Sequence, residues 1–342
     1  MRIGVLGLGS MGSRRVRDLS ALGHEVVGCD VRVDRNSAAE ARFGIATVGE
    51  LDGLLSLRPE ALVISLPPDQ HAKAYRAAFD ARLPFFSEAS ILSPHPKWFE
   101  ECEVASEVRG YPSATWRFYA PLVELRRLLT DAGALVLSAH HHYADFLPRW
   151  HPWESYWQFY AGARWQTCAA REMVPFELEW LCWLFGPVAT VGATRATRRK
   201  WQTDIHDTFF LLMRFASGLE ATLRIELHSL APVRKAIFSL PDSTVALDFD
   251  SDSLTSFDPA RGAWSALRVP ESALARNDLE QVYAAEISAF VAAVEGSAEY
   301  PKSWAEDRHL SDVLVAAELS HRQGRIVSVN EVADSYTGDS LE

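Results

Sequence analysis

The N-terminal part of the chain alternates between short apolar runs and longer stretches in which apolar residues recur at helical spacing. The runs at residues 3–6, 25–29, 45–48, 61–66 and 85–87 predict buried strands. The stretches at residues 10–22, 36–43, 51–57 and 70–81 predict helices between them. This alternation is typical of a doubly wound parallel sheet, which binds its ligand at the carboxyl ends of the strands.

After residue 120 the pattern changes from alternating strands and helices to a run of strands. A helix at 121–130 and a strand at 134–143 are followed by strands at 188–196, 208–215, 219–228, 235–240, 243–249 and 264–269. Helices are predicted at 279–295 and 304–322. The predicted fold class is therefore a Rossmann-type α/β domain at 1–117, followed by an α+β domain at 118–300 with an open, mostly antiparallel sheet. The helical region 302–330 is expected to pack back on the first domain.

The first strand ends in a G-x-G-x-x-G loop formed by Gly7, Leu8, Gly9, Ser10, Met11 and Gly12. A helix and a second strand follow, and Asp30 ends that strand about 20 residues after the loop, as in a dinucleotide-binding fingerprint. Gly7 permits the turn, Gly9 lets the backbone approach a pyrophosphate, and Gly12 lets the helix pack closely. Asp30 favours NAD by accepting ribose hydroxyls, whereas Arg32 or Arg35 would suit the extra phosphate of NADP.

Composition and charge exclude several other classes of protein. The chain has 34 basic and 45 acidic residues, a net charge of −11, which argues against non-specific binding of nucleic acid. The basic cluster at 195–200 is interpreted as a solvated loop. No apolar run approaches the ~18 residues of a membrane span. Cys29, Cys102, Cys168 and Cys182 have no C-x-x-C spacing, so reduced thiols in a cytoplasmic protein without a signal peptide are expected.

Several motifs, taken in order, resemble the glucose–fructose oxidoreductase, inositol dehydrogenase and MocA family (Gfo/Idh/MocA). They are the glycine loop, L-P-P-D-Q-H at 66–71, W-R-F-Y-A-P at 116–121 and W-L-F-G at 183–186. The resemblance implies a homodimer or homotetramer formed through the second-domain sheet, with a sugar-like substrate. It also implies that Leu66, Pro67, Pro68 and His71 lie near the nicotinamide half of the cofactor. Glu88 would help to place the nicotinamide, and Arg117 would lie on the substrate side.

The chain departs from the family at the two places that usually supply acid and base groups. The family's E-K-P reads Glu88-Ala89-Ser90 here, so alanine replaces the lysine. Its H-x-x-D pair aligns with Phe176 and Glu179, so phenylalanine replaces the histidine. One interpretation is a dehydrogenase with a rebuilt acid/base group. The other is a nucleotide-binding protein with no net redox reaction, which would perform elimination, epimerisation or regulation.

A rebuilt site requires a carboxylate, imidazole or phenol with a suitable pKa. Glu179 is the first candidate, followed by His151, His142, Tyr143 and Glu172. His151 belongs to an aromatic segment, W-H-P-W-E-S-Y-W at 150–157, that resembles family members acting on bacterial surface-sugar precursors. Trp153, Arg171 and Phe176 are predicted to contact substrate, although aromatic residues also dominate cores and interfaces. His140, His141 and His142 alternate along a strand, so no metal site is expected.

Overall fold

The structure is a computed structural model that describes residues 1–89, 97–131, 133–270 and 278–333. The chain forms two compact units. The first consists of Met1–Phe118 together with Asp278–Asp307, and the second of Tyr119–Asn277 together with Arg308–Glu342. None of the helices within the described ranges combines the length and the apolar character that a bilayer crossing requires.

The elements up to Phe118 are β1 (Arg2–Leu6), α1 (Ser10–Ala21), β2 (Glu25–Cys29), α2 (Val33–Phe43), β3 (Ala46–Val48), α3 (Leu51–Ser56), β4 (Ala61–Ile64), α4 (His71–Asp80), β5 (Phe85–Ser87), α5 (Lys97–Ser106) and β6 (Gly110–Pro112). The six strands are parallel and lie in the order β3-β2-β1-β4-β5-β6, the Rossmann order. Central β4 is buried on both faces, as its wholly apolar sequence predicts. The predicted Rossmann-type sheet is confirmed.

The elements from Tyr119 onwards are α6 (Ala120–Arg126), β7 (Ser138–Phe146), α7 (Tyr160–Ala163), α8 (Ala169–Phe185), β8 (Val188–Ala196), β9 (Thr208–Phe215), β10 (Glu220–Glu226), β11 (His228–Ser239), β12 (Thr244–Asp248), β13 (Ser253–Asp258), β14 (Ala263–Ala266), α9 (Leu279–Val294), α10 (Trp304–Gln323), β15 (Val327–Ser328) and α11 (Val329–Ala333). A nine-stranded sheet runs in the order β14-β13-β12-β11-β7-β10-β9-β8-β15.

The second sheet confirms the predicted open, mostly antiparallel architecture. Its β7–β10 pair is parallel, and its other neighbouring strands are antiparallel. Strand β13 was not predicted, because its sequence S-L-T-S-F-D carries few apolar residues. Strand β11 begins at His228, seven residues before the predicted start at 235. Its pairing with β7 is irregular between His228 and Val233. Because such an irregularity breaks the alternation of apolar and polar residues, the pattern did not predict this part of the strand.

The segment that returns to the first unit is 278–307, which shares only residues 302–307 with the predicted region 302–330. Helix α9, which the sequence analysis placed in the second domain, packs Ile287 and Phe290 into the apolar cluster around Ile3 and Val5. Only the start of α10 belongs to the first unit, through Trp304 against Phe99, with ring centroids 4.7 Å apart. The assignment depends on which sheet each helix covers, and helical spacing alone carries no information about that.

Candidate functional site

The glycine loop after β1 is a turn in which two glycines are required by the backbone itself. Gly7 has a φ of +85°, and a Cβ there would lie 2.5 Å from the carbonyl oxygen of Ser65. A Cβ on Gly12 would lie 1.7 Å from the carbonyl oxygen of Gly7. The turn therefore excludes any side chain at these two positions, whether or not a ligand is bound.

Gly9 differs from the other two glycines because space is open beside it. A Cβ there would meet only the Arg35 guanidinium, at 3.5 Å from Nη1. Helix α1 begins immediately afterwards, and no side chain caps it. The N–H groups of Ser10, Met11 and Gly12 in its first turn have no intrahelical acceptor. This uncapped, positively polarised terminus fits the diphosphate of a dinucleotide.

Asp30 is buried beside this loop and is held by backbone donors. Its Oδ2 accepts a hydrogen bond of 2.8 Å from the Leu8 N–H, and its Oδ1 accepts one of 2.9 Å from the Arg32 N–H. The guanidinium of Arg35 approaches Oδ2 at 3.4 Å, whereas that of Arg32 is bidentate to Asp34. Of the two arginines, Arg35 is thus the one that lies over both the acid and the open side of the loop.

The P-P-x-x-H turn at residues 67–71 follows β4, and its histidine is packed against the turn. Pro68 occupies the first position of a short 3-10 turn at Pro68–Gln70. His71 is buried, and its Nε2 donates to the carbonyl oxygen of Leu66 at 2.9 Å. Its Nδ1 faces the Tyr75 hydroxyl at 3.2 Å. His71 therefore holds the backbone of the turn at Leu66 in place through this hydrogen bond.

Glu88 directly follows β5 and forms a bidentate ion pair with Arg15 of α1, at 2.7 and 3.1 Å. The Arg15 guanidinium is fully buried and also donates to Glu286 of α9 at 2.6 Å. Burial, only partly offset by Arg15, raises the pKa of Glu88 above its ordinary value. Glu88 is thus part of a buried triad of one cation and two carboxyl groups. Ala89 follows it, and Ser90 lies outside the described residues.

Arg117, predicted to contact substrate, is almost fully buried within the first unit. Its guanidinium donates to the carbonyl oxygen of Pro301 and to Glu306, the latter at 2.8 Å. Although burial opposes it, this pairing, together with hydrogen bonds from Ser303, lowers the pKa of Glu306. These contacts correct the prediction, because they show that Arg117 binds the segment 278–307 to the rest of the first unit.

Helix α8 carries three of the predicted side chains on one face. Glu172, Phe176 and Glu179 follow each other at spacings of four and three residues, and the first two are half-buried. The Tyr160 hydroxyl donates to Glu172 Oε1 at 2.9 Å. Arg171, in contrast, is buried and bidentate to Glu318 of α10, at 2.8 and 3.3 Å. The prediction that Arg171 contacts substrate is therefore corrected to a structural role.

His151 has the surroundings of a proton-transfer group. Its Nδ1 donates to Glu154 Oε1 at 2.8 Å, which leaves the neutral ring's lone pair on Nε2. The imidazole lies between Trp153, 5.1 Å away, and Phe159, 4.5 Å away. The Trp153 side chain is 71% exposed. No hydrogen bond to Nε2 occurs within the part of the chain that the structure describes.

The histidine triplet of β7 alternates as predicted. His141 is buried, and His140 and His142 lie on the opposite face. His142 Nε2 is paired with Glu226 Oε2 at 2.8 Å. Among the described residues, no group of three histidine, cysteine or acidic side chains forms a set of metal ligands.

A buried ion cluster behind Tyr143 and Phe176 was missed by the sequence analysis. Glu177 accepts hydrogen bonds from His141 Nε2, at 2.7 Å, and from the Arg234 guanidinium. Although burial opposes it, this pairing lowers the pKa of Glu177. The Arg234 Cζ lies 5.1 Å from the Tyr143 ring centroid and 5.6 Å from that of Phe176. The pairing of β7 with β11 places Arg234 beside Tyr143, and Glu177 of α8 joins both strands through its bonds to His141 and Arg234.

Comparisons with known proteins agree with this fold. Residues 126–237 match the family model of the GFO/IDH/MocA C-terminal domain, and residues 2–84 match that of the coenzyme F420-dependent NADP oxidoreductases. No curated protein sequence matches the chain.

Among solved structures, the chain is similar to an oxidoreductase from Agrobacterium radiobacter in complex with NAD+, L-tartaric acid and magnesium. The TM-score is 0.80 at 15% identity, covering 97% of this chain and 99% of that one. The structure of levoglucosan dehydrogenase in complex with NADH and levoglucosan is also similar. Its TM-score is 0.81 at 18% identity, and the match covers 96% of this chain and 99% of that one. A third similar structure is the WlbA dehydrogenase from Bordetella pertussis in complex with NADH and UDP-GlcNAcA. Its TM-score is 0.77 at 16% identity, and the match covers 96% of this chain and 97% of that one.

Identities this low show a shared fold. Over residues 126–237 the sequence itself matches the C-terminal domain of the GFO/IDH/MocA family.

Proposed function

We propose that the chain is an NAD(P)-dependent oxidoreductase that acts on a hydroxyl group of a sugar, a cyclitol or a sugar-derived intermediate. The observation that carries the proposal is the open, uncapped loop at Gly9 beside the buried Asp30. The solved structures named above support it, because they share the fold and contain NAD+ or NADH. When bound, the nicotinamide accepts or donates a hydride; the protein must then move the hydroxyl proton.

We propose His151, oriented by Glu154, as the group that moves this proton. A carboxylate on one ring nitrogen holds the tautomer in which the other nitrogen accepts a proton, and it stabilises the charged ring afterwards. Ala89 and Phe176 replace the residues that usually do this work. Glu179 is buried on the same helix face as Phe176 and remains the competing candidate.

We expect the His151→Asn variant to lower kcat by about 100-fold or more near neutral pH, the usual loss for an absent general base. Glu154→Gln should lower kcat less and shift the pH profile, because it removes only the orienting charge. Turnover is followed as NADH formed from a panel of sugars, cyclitols and sugar acids. If Glu179→Gln abolishes turnover while His151→Asn does not, Glu179 is the base.

Arg35 is expected to decide how well the extra phosphate of NADPH is bound. Arg35→Gln should weaken NADPH binding about tenfold relative to NADH, the scale of one charge-assisted hydrogen bond. Arg32→Gln is the matched control, since its guanidinium is already bidentate to Asp34. Calorimetric titration of both variants with both nucleotides measures the ratio. Equal losses for the two nucleotides in Arg35→Gln would contradict this role.

A second candidate function is a reaction without net redox change, such as an elimination or an epimerisation through a transient ketone. It is favoured by Ala89 and Phe176, which cannot transfer protons. Net NADH formation from any alcohol in the panel would exclude it. Product formation with no change in the nucleotide would support it.

We also propose that two copies associate through the outer face of the second-unit sheet. Phe210, Leu212 and Ile237 are exposed there. They share this face with His140 and Thr222, because paired residues of adjacent strands point to the same side. Exposed apolar side chains grouped in this way are typical of a protein–protein contact.

A further inference from the structure

The loop between β8 and β9, residues 197–207, is built around a buried carboxylate. Asp207 is fully buried and accepts hydrogen bonds from the backbone N–H groups of Arg198, at 2.9 Å, and Arg199, at 2.8 Å. The indole of Trp201 donates to the same side chain at 2.9 Å. The loop is therefore held around Asp207 by backbone N–H groups and one indole, and not by an ion pair between Asp207 and the loop's own basic side chains.

Three consecutive cationic side chains project from this loop. Arg198, Arg199 and Lys200 are exposed, and none of them forms an ion pair within the described ranges. The Arg199 Cζ lies 4.9 Å from the Phe146 ring centroid and 5.9 Å from that of Trp201. A guanidinium placed over aromatic faces keeps its N–H edge available for an anion. In a chain with a net charge of −11, this cluster is a local exception.

A row of aromatic rings runs from the basic loop to the surface. The Trp201 ring centroid lies 5.2 Å from that of Tyr156, which lies 5.1 Å from that of Trp157. The Tyr156 hydroxyl accepts a hydrogen bond of 2.8 Å from the Gln202 N–H, which fixes the row to the loop. The Trp157 indole is 39% exposed at its end. Through Tyr156 and Trp201 this exposed ring is connected to Arg199, and cations together with aromatic rings are a combination that suits nucleotides.

The same segment connects the loop to the side chains proposed to act on the sugar. Thr203 of the loop donates to the carbonyl oxygen of Gly162 in α7 at 2.6 Å. Four residues beyond Tyr156, Tyr160 donates to Glu172 on the α8 face. His151 and Trp153 precede Tyr156 in the chain. The segment 151–162 thus connects the basic loop to the candidate sugar-binding side chains of the second unit.

We propose that this surface binds the nucleoside diphosphate part of a nucleotide-linked sugar. Arg198, Arg199 and Lys200 contact the diphosphate oxygens, and the exposed ring of Trp157 stacks against the base. Guanidinium groups bind phosphates through paired hydrogen bonds, and aromatic rings stack on any base. The sugar part of this substrate rests on the proposed function, whereas the binding of the diphosphate does not.

The test is calorimetric titration of the full chain with uridine diphosphate and with inorganic pyrophosphate. It is done in a Gly9→Trp background, so that the glycine loop of the first unit cannot take up the ligand. We expect uridine diphosphate to bind, and Arg199→Gln and Arg198→Gln to weaken it about tenfold each. Both variants keep the N–H groups that hold Asp207. Arg261→Gln, which removes another exposed arginine of the second unit, is the matched control and should change nothing.

Trp157→Leu should weaken uridine diphosphate and leave pyrophosphate unchanged, because pyrophosphate has no base to stack. If uridine diphosphate and pyrophosphate bind equally well, and Trp157→Leu changes neither affinity, the surface is a simple anion site that does not recognise a nucleoside. Absence of binding, or binding unaffected by Arg198→Gln and Arg199→Gln, would overturn the proposal. None of these results depends on turnover, so a failed redox assay and a failed binding assay remain distinguishable.

Discussion

The Gly9→Trp variant is expected to lose about a hundredfold or more of its affinity for both NADH and NADPH while keeping its fold. A Cβ at Gly9 would meet the end of the Arg35 side chain, at 3.5 Å, and not the backbone, so we expect the loop itself to tolerate a side chain there. The indole would nevertheless fill the space through which a diphosphate must reach the N–H groups of α1. Calorimetric titration measures the affinity, and thermal unfolding measures the stability.

Gly12→Ala is the comparison variant, because it should lower stability as well as nucleotide affinity. Its Cβ would lie 1.7 Å from the carbonyl oxygen of Gly7, so the turn must distort. We expect it to lower the free energy of unfolding by about 1–3 kcal/mol, the usual cost of overpacking, and to lose nucleotide binding as well. Gly9→Trp protein that binds NADH as tightly as the wild type would show that this loop is not the nucleotide site.

Arg15→Met is expected to lower the free energy of unfolding by about 3–5 kcal/mol near neutral pH, the usual result of removing one partner from a buried ion pair. Arg15 is fully buried and is the cation shared by Glu88 and Glu286. Burial alone would lower its pKa, but the two carboxylates outweigh burial and raise it, so the guanidinium stays charged. Methionine fills a similar volume and leaves both carboxyl groups without their counter-ion.

The loss of unfolding free energy in Arg15→Met should depend on pH. The pKa of Glu88 is already raised in the folded protein, so its contribution to stability is full below its ordinary pKa and is lost as the pH rises through the raised value. Without Arg15 the pKa rises further. The stability deficit should therefore shrink as the pH falls from neutral toward about 5, and Glu88→Gln added to Arg15→Met should recover part of it.

Chemical denaturation of the variants at several pH values measures this deficit. Arg214→Met is the control, because Arg214 pairs with Glu220 at the surface and such pairs contribute about 1 kcal/mol or less. A loss of stability in Arg15→Met that is no larger than in Arg214→Met, or one that grows as the pH falls, would contradict the role assigned to the triad.

The sequence by itself determined the bounds of several strands and the position of the glycine loop. Strands β2, β5, β8 and β9 have the predicted bounds, because their apolar runs or their alternation match the period of a strand. The alternation of His140, His141 and His142 followed for the same reason. The bend at Gly7 and the contact of Gly12 with it are local, so the fingerprint was sufficient to locate them.

The tertiary structure alone decided which charged side chains are available for chemistry. Arg117 and Arg171 were predicted to contact substrate, yet their partners Glu306 and Glu318 come from more than a hundred residues away in the chain. Arg234, beside Phe176, entered the site only through the pairing of β11 with β7. Sequence patterns report spacing within one element. Whether a charge is buried and paired depends on which elements pack together, and that is a property of the whole fold.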